Sequence, residues 1–210
     1  MDFHLSIFSA LSALCVISQP ALADVQVTPY AEREDVRQFA RDLATREGLD
    51  EAKILDTLSQ ARYLPSVIKA ILPPATLTAR SWVRYRARFL DRARIASGLA
   101  FWQTYSEELA RAEKQYGVPA EIIVAIIGIE TIYGRNTGNY QTLSALATLA
   151  FDYPPRAELF RRELAELFVL AREQRRDPRS FKGSYAGAIG LPQFMPSSLR
   201  CFAVDFDGDG

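Results

Sequence analysis

Residues 119–134 read PAEIIVAIIGIETIYG, and this stretch constrains the fold more than any other. Pro119 suits the first position of a helix, where the missing N–H group costs nothing. The run at residues 122–127 is apolar on nearly every side, which is typical of a buried helix. The sequence therefore predicts that this segment is the central, buried helix of the protein.

Glu130 breaks this apolar pattern, with Ile126 and Ile127 one turn behind it. Burial of an ionised carboxylate is costly, so a buried Glu130 would favour its protonated form and have a raised pKa. A carboxylic acid that stays protonated near neutral pH can donate its proton to a glycosidic oxygen. The alternative is a glutamate that turns out to solvent at the helix end, and the spacing alone leaves both readings open.

The rest of the chain also shows helical periodicity. Gly48 ends one predicted helix, and Asp50 supplies the N-cap of the next. A long helix is expected over residues 99–116, with Gly117 as its stop. The residues expected to face inward on this helix are Trp102, Tyr105, Leu109, Ala112 and Tyr116. Those of a further helix after Pro155 are Phe160, Leu164, Leu167 and Ala171. Strand-like alternation is confined to residues 25–27 and the stretch around residues 202–206, so the fold class is mainly α.

Composition excludes several classes of function. The chain has 210 residues, Lys+Arg 25 against Asp+Glu 25, and one histidine, His4, near its start. Histidine-based triads and histidine-rich zinc sites are therefore excluded, and acid–base chemistry must come from other side chains. Six arginines between residues 80 and 94 stand among aromatic residues, but the balanced total charge favours a solvated face over a nucleic-acid surface. We expect no nucleic-acid partner.

A second informative stretch, residues 183–198, reads GSYAGAIGLPQFMPSS. Its glycines permit close backbone approach and unusual dihedral angles. Ser184, Tyr185 and Gln193 offer hydrogen bonds and a stacking face, which suit a polyhydroxylated ligand. Tight packing between helices is the alternative explanation for the glycines.

The first 23 residues predict export. Residues 3–17 are mostly apolar, and Ala-Leu-Ala at residues 21–23 precedes Asp24, as in a secretory signal peptide. About 15 apolar residues fall short of the roughly 20 that span a bilayer, so no stable membrane span is expected. A lipid anchor at Cys15 is not expected either, because Leu14 stands where lipoprotein processing needs a small residue. The predicted location is the periplasm.

Three motifs in order make the sequence recognisable. They are ETIYG at residues 130–134, SYAGAIG at residues 184–190 and QFMPSS at residues 193–198. Together with FDYP at residues 151–154, they strongly resemble the lytic murein transglycosylase B family over residues 30–210. Ile189 departs from the family pattern, which usually has Met there, and such an apolar exchange should be tolerated.

The resemblance implies a lysozyme-like helical enzyme that cleaves the β-1,4 bond between N-acetylmuramic acid and N-acetylglucosamine in peptidoglycan. The product ends in a 1,6-anhydro ring, so no water is added. In that family a single glutamate acts first as acid and then as base, and Glu130 matches it. The muramic N-acetyl group serves as the internal nucleophile.

The same motif matching implies the substrate-binding residues. Ser184 would orient the N-acetyl group, Gln193 would line the glycan cleft, and Tyr85 falls where the family has a cleft tyrosine. Tyr85 also has an ordinary core interpretation, through its helical spacing with Trp82 and Phe89. Tyr133 and Tyr185, inside the motifs, complete the set of candidates.

Two other functions remain open on the sequence. One is a non-catalytic peptidoglycan-binding or scaffold module, and the other is a muramidase-type hydrolase. A hydrolase would ordinarily need a second carboxylate. Asp152 could be that acid, but the following Tyr153-Pro154-Pro155 favours a turn that Asp caps. The expected partners are peptidoglycan glycan strands, and cell-wall synthesis or division proteins could direct the enzyme.

Residues 205–210, DFDGDG, match the start of an EF-hand loop, with Asp205, Asp207 and Asp209 as calcium ligands. The closing acidic ligand at position 12 would be residue 216, so tight calcium binding is not expected from this sequence. The chemistry needs no cofactor, and a structural calcium is expected only where the loop is complete. The predicted organisation is a signal peptide at 1–23 and a C-terminally incomplete transglycosylase domain at 24–210. Within that domain, the helical N-terminal part covers about 24–97 and the catalytic core about 98–210.

Overall fold

The computed structural model of the chain describes residues 28–73, 81–206 and 208. The predicted signal peptide and the predicted strand at residues 25–27 lie outside these residues. The described part is mostly helical, which confirms the mainly α fold class. No described helix combines the length and the apolar character needed to cross a membrane.

The described residues form ten α-helices and one short antiparallel sheet. The first five helices are α1 (Glu34–Glu47), α2 (Glu51–Ser59), α3 (Pro65–Ile71), α4 (Trp82–Ala87) and α5 (Arg92–Thr104). The others are α6 (Ser106–Tyr116), α7 (Ala120–Thr131), α8 (Thr142–Asp152), α9 (Ala157–Glu173) and α10 (Pro196–Phe202). Strand β1 (Tyr140–Gln141) pairs with strand β2 (Lys182–Gly183).

The boundary between α1 and α2 follows the sequence prediction. Gly48 ends α1 in the left-handed conformation, with φ at 63°. The Asp50 carboxylate accepts hydrogen bonds from the N–H groups of Ala52 and Lys53, and so caps α2. The inward face predicted for the helix after Pro155 is also confirmed, since Phe160, Leu164, Leu167 and Ala171 of α9 are all buried.

The central buried helix is α8, and the prediction that placed α7 there is wrong. Every residue of α8 except Asp152 is buried, and the helix packs along α9. Two of its hydroxyl groups are satisfied inside the core: Ser144 Oγ accepts from Arg62 N at 3.0 Å, and Thr148 Oγ1 accepts from Leu64 N at 3.0 Å. The buried polar residues of α8 therefore hold the loop between α2 and α3.

Helix α7 belongs instead to a small second core and keeps one apolar face open. Leu109, Ala120 and Val124 form this core, with Phe101 and Tyr133 packed against it. The opposite face carries the α7 stripe, Ile122, Ile126 and Ile129, whose side chains are 48%, 49% and 52% exposed. A parallel stripe on α5 is also exposed and consists of Ile95, Leu99 and Trp102.

Two further expectations need correction. The helix predicted over residues 99–116 is interrupted at Tyr105, which ends α5 and precedes α6. Leu109 is buried as expected, but Trp102, Tyr105 and Tyr116 are exposed, so the inward face expected for one continuous helix does not form. The strand expected around residues 202–206 is absent from the described residues there, since Phe202 ends α10 and the chain continues without strand pairing.

Candidate functional site

Glu130 lies in the last turn of α7 with its side chain exposed, so of the two interpretations that the spacing left open, the solvent-facing glutamate is the one observed. Helical periodicity explains the exposure, because Glu130 follows Ile126 by four residues and Ile122 by eight, and all three share the open face of α7. Among the described residues, none donates a hydrogen bond to this carboxylate. Glu130 is therefore available to an incoming ligand.

The turn after Glu130 has an unusual backbone. Ile132 and Tyr133 have φ values of 53° and 57°, and Gly134 follows at 82°. The left-handed region is unfavourable for a β-branched residue such as Ile132, and such strain costs about 1–3 kcal/mol. Strained backbone of this kind persists only where the surrounding structure holds it in place.

Thr131 provides that restraint. Its buried Oγ1 lies 3.1 Å from the carbonyl oxygen of Leu191, accepts from Gly134 N at 3.1 Å and lies 3.2 Å from the carbonyl oxygen of Ile127. Its own carbonyl oxygen accepts from Asn136 N at 2.9 Å. Residues 183–194 are called the glycine-rich loop. The Thr131 hydroxyl therefore joins the turn after Glu130 to this loop.

Tyr133 fills the space between α5 and α7. An added Cβ on Gly98 or Gly128 would lie 2.4 Å or 2.5 Å from the Tyr133 hydroxyl oxygen, so both positions need glycine. The ring also packs 5.6 Å from that of Phe101. Tyr133 thus supports the turn that follows Glu130, and its predicted role in substrate binding stays a prediction.

The glycine-rich loop presents Ser184 at the end of β2. Ser184 Oγ accepts from the N–H groups of Ala186 at 3.3 Å and Ala188 at 3.1 Å, while Ser184 N donates to the Ala188 carbonyl at 2.8 Å. These bonds fix the hydroxyl oxygen, and no described residue accepts its hydrogen. Ser184 can therefore donate to a ligand. Tyr185, next in the chain, is exposed.

Gln193 holds the far end of this loop. Its Nε2 donates to the carbonyl oxygens of Thr137 at 3.1 Å and Gly190 at 2.9 Å, which occupies both amide hydrogens. Its Oε1 remains available as an acceptor among the described residues. Gln193 therefore connects the loop to the segment before β1, and the structure brings the two sequence motifs together through Gln193 and Thr131.

Tyr85 lies on α4, a helix with no buried residue, so its ordinary core interpretation is wrong. Its ring lies 5.9 Å from that of Trp82 and 5.1 Å from that of Phe89. The Arg94 guanidinium lies over Phe89 and donates to the carbonyl oxygen of Gly128 at 3.1 Å. Phe89 and Arg94 therefore link Tyr85 indirectly to the Glu130 end of α7.

Asp152 is occupied by the N-terminal segment. Its carboxylate accepts from the Tyr30 hydroxyl and from Arg33 Nη1, each at 2.6 Å. Burial, reinforced by the bond to Asp152, raises the pKa of Tyr30. Asp152 thus fastens Tyr30 and Arg33 to the end of α8, which favours a structural role over a second catalytic acid.

Sequence reasoning missed Glu163. This buried α9 residue accepts from Ser197 N at 3.0 Å and Ser197 Oγ at 2.7 Å, and so caps the first turn of α10. The signal was present in the sequence, because Glu163 stands between Phe160 and Leu164 on the predicted buried face. A charged residue in that position indicates a buried partner.

Only part of the predicted calcium loop is described. Asp205 Oδ1 accepts from Gly208 N at 2.9 Å, so the chain turns back over the first predicted ligand. Asp207 and Asp209 lie outside the described residues. Within the described part of the chain, no group of three or more acidic, cysteine or histidine side chains is placed to hold a metal. The calcium site stays a prediction.

Comparison with known proteins identifies related chains. Membrane-bound lytic murein transglycosylase B from Escherichia coli (strain K12) is 43% identical over 190 residues, covering 86% of this chain and 52% of that protein. The crystal structure of soluble lytic transglycosylase SltB1 from Pseudomonas aeruginosa matches with a TM-score of 0.81 and 52% identity, over 83% of this chain and 59% of that one. Escherichia coli lytic transglycosylase SLT35 in complex with calcium matches with a TM-score of 0.77 and 44% identity, over 87% and 56%.

The chain therefore spans a little over half the length of these relatives. These matches also support the lysozyme-like description of the fold. The family model described as "Transglycosylase SLT domain" matches residues 31–210, which include the Glu130 turn and the whole glycine-rich loop. The chain belongs to this transglycosylase family.

Proposed function

We propose that this protein is a peptidoglycan lytic transglycosylase with Glu130 as its acid and base. The observation that carries the proposal is the placement of an unpartnered carboxylate, Glu130, directly before Thr131, whose hydroxyl joins the end of α7 to the loop of Ser184 and Gln193. Family membership and the murein transglycosylase relative support the same reaction.

The reaction can be written with one carboxyl group. Protonated Glu130 gives its proton to the oxygen of the β-1,4 bond, and the N-acetylglucosamine side leaves as an alcohol. The N-acetyl carbonyl oxygen of the muramic residue bonds to C1 as that bond breaks. The Glu130 carboxylate then removes the proton from the C6 hydroxyl, whose oxygen attacks C1 and closes the 1,6-anhydro ring. The N-acetyl group and the Glu130 acid are both restored, and no water enters.

The glycine-rich loop would position the sugar for these steps. The Ser184 hydroxyl can donate its free hydrogen to the N-acetyl carbonyl oxygen, and the loop N–H groups that hold Ser184 Oγ fix its direction. Gln193 Oε1 and the exposed Tyr185 ring can line the glycan cleft. Tyr85 and Tyr133 remain in the proposed set, Tyr133 mainly as a support for the turn.

A hydrolase is less well supported, because it would need a second carboxylate to direct water or to trap the glycosyl cation. Two carboxylates that could be considered, Asp152 and Glu163, are both held by hydrogen bonds to other parts of the fold. A non-catalytic binding module is less well supported as well, since such a module has no use for an unpartnered glutamate at the end of a helix that leads into a strained turn.

The products test these alternatives. Purified protein would be incubated with peptidoglycan sacculi, and the released muropeptides identified by mass spectrometry. We expect products that end in the 1,6-anhydro ring. Products heavier by one water would show a hydrolase, and binding without products would show a binding module.

We infer further that the protein acts in the periplasm, where its proposed glycan substrate lies, after removal of the signal peptide. A calcium ion would be structural and would not take part in the chemistry. Cell-wall synthesis or division proteins are proposed partners. Fractionation of cells into periplasmic and membrane samples tests the location.

A further inference from the structure

The α4 segment carries a row of exposed aromatic rings. Trp82 is 71% exposed and Tyr85 is 54% exposed, although their rings are stacked, with centroids 5.9 Å apart and an interplanar angle of 29°. The Tyr85 ring continues the row to Phe89, 5.1 Å away. Exposed rings that lie together in this way offer a contiguous flat apolar surface, which is suited to binding.

This row is fixed to the helix that carries Glu130. The Arg94 guanidinium lies 5.6 Å from the centre of the Phe89 ring, and its side chain is only 16% exposed. Its Nη1 donates to the Gly128 carbonyl oxygen at 3.1 Å, two residues before Glu130. Arg94 therefore ties the aromatic row to the end of α7 that carries Glu130.

We propose that Trp82, together with Tyr85, is a platform for a pyranose ring of a glycan strand bound beside Glu130. The proposal rests on the function proposed above and assigns a sugar-binding role to Trp82. A pyranose ring of this type has an apolar face of C–H groups and a polar rim of hydroxyl and amide groups. Its apolar face can lie on an indole ring while the polar rim stays in water.

The surroundings of Trp82 favour a glycan over another protein surface. Arg86 and Arg88, which follow in the same segment, are exposed, and peptidoglycan stem peptides carry carboxylates that such cations attract. The α7 stripe, in contrast, is aliphatic and offers no flat ring on which a sugar could lie. The α4 row combines flat rings with cations, which suits an anionic, sugar-based polymer.

The chain allows a direct spectroscopic test, because Trp82 and Trp102 are its two tryptophans. Trp102→Phe leaves Trp82 as the sole indole fluorophore, and Trp82→Phe leaves Trp102. Each protein would be titrated with chitotetraose, which has N-acetylglucosamine rings but no muramic residue and so is a glycan ligand other than the proposed substrate. We expect a saturable fluorescence change in the Trp102→Phe protein and none in the Trp82→Phe protein.

Calorimetric titration of the same ligand measures the contribution of the rings. Trp82→Ala and Tyr85→Ala should each weaken binding by roughly tenfold, in line with the loss of one aromatic contact. Val83→Ala is the matched control, since Val83 is 76% exposed on the same helix, and it should leave affinity unchanged.

The outcomes distinguish a failure of the sugar platform from a failure of the enzyme assignment. Unchanged affinity in Trp82→Ala, or an unchanged Trp82 signal in a protein that still releases anhydro products, would overturn the platform and leave the enzyme assignment intact. A saturable Trp82 signal in a protein that releases no anhydro products would overturn the enzyme assignment and support the platform.

Discussion

Thr131 Oγ1 lies 3.1 Å from the main-chain carbonyl oxygen of Leu191, and this contact joins the two parts of the candidate active site. Thr131 directly follows Glu130, whereas Leu191 belongs to the loop that carries Ser184 and Gln193. The same hydroxyl also accepts from Gly134 N at 3.1 Å. One buried side chain therefore fixes the strained turn and its distance from the loop.

Replacing Thr131 by Val should weaken both the fold and turnover. Valine keeps the shape but leaves the Leu191 carbonyl and the Gly134 N–H without their partner, which costs about 1–3 kcal/mol of unfolding free energy. Urea unfolding and muropeptide release measure the two effects. Thr131→Ser, which keeps the hydroxyl, should retain most of the activity. Equal behaviour of the Val and Ser variants would contradict the role of the hydroxyl.

Glu163→Gln should destabilise the start of α10. The carboxylate accepts from both Ser197 N and Ser197 Oγ inside the core, and a neutral amide replaces charge-assisted bonds with weaker ones. We expect a loss of about 1–2 kcal/mol in urea unfolding. Glu158→Gln on the same helix is the control, because Glu158 is largely exposed and such pairs contribute little. The prediction fails if the two variants unfold alike.

The Tyr30 contact predicts a distinctive dependence of stability on alkaline pH. The pKa of Tyr30 is raised in the folded state. Its contribution to the free energy of unfolding is therefore complete below the ordinary tyrosine pKa of about 10 and is lost as pH rises above that value. Tyr30→Phe should cost about 1.5–3 kcal/mol at neutral pH, since Asp152 loses a hydrogen bond. The difference between parent and variant should narrow above pH 10, as measured by urea unfolding. A constant difference would show that Tyr30 does not titrate in this way.

The exposed α7 stripe should make the chain associate with itself or with apolar probes. Ile126→Gln places a polar group in the middle of the stripe and should reduce dye binding and concentration-dependent sedimentation. Ala125→Gln adds the same group on an exposed position next to the stripe and serves as the control. If Ile126→Gln and Ala125→Gln change association equally, the stripe is not the contact surface.

The sequence predicted which segments are helical better than it predicted what covers them. Helix α7 has the more apolar sequence, but its stripe of Ile122, Ile126 and Ile129 stays open. The sequence of helix α8 is interrupted by the polar residues Ser144 and Thr148. Their hydroxyl oxygens accept hydrogen bonds from loop N–H groups, so the helix can lie in the centre of the main core. Hydropathy measures the apolar content of a segment and not the partners that bury it.

The candidate site was likewise predicted in part from the sequence. Motif resemblance indicated Glu130, Ser184 and Gln193 before any geometry was known. The spacing left the burial of Glu130 open, and its exposure follows from the helix face that it shares with Ile122 and Ile126. The contact between Thr131 and Leu191 could not be predicted, because a main-chain carbonyl partner leaves no mark on the sequence.

The most direct test of the enzyme assignment compares Glu130→Gln with Glu121→Gln on peptidoglycan sacculi. Both residues are exposed on α7, at its opposite ends, so the substitution changes charge by the same amount on the same helix. Mass spectrometry of the released muropeptides, with circular dichroism to show that both proteins are folded, gives the readout. We predict anhydro-ended products from the parent and from Glu121→Gln, and none from Glu130→Gln. Anhydro products from a folded Glu130→Gln protein would contradict the assignment of Glu130 as the acid and base.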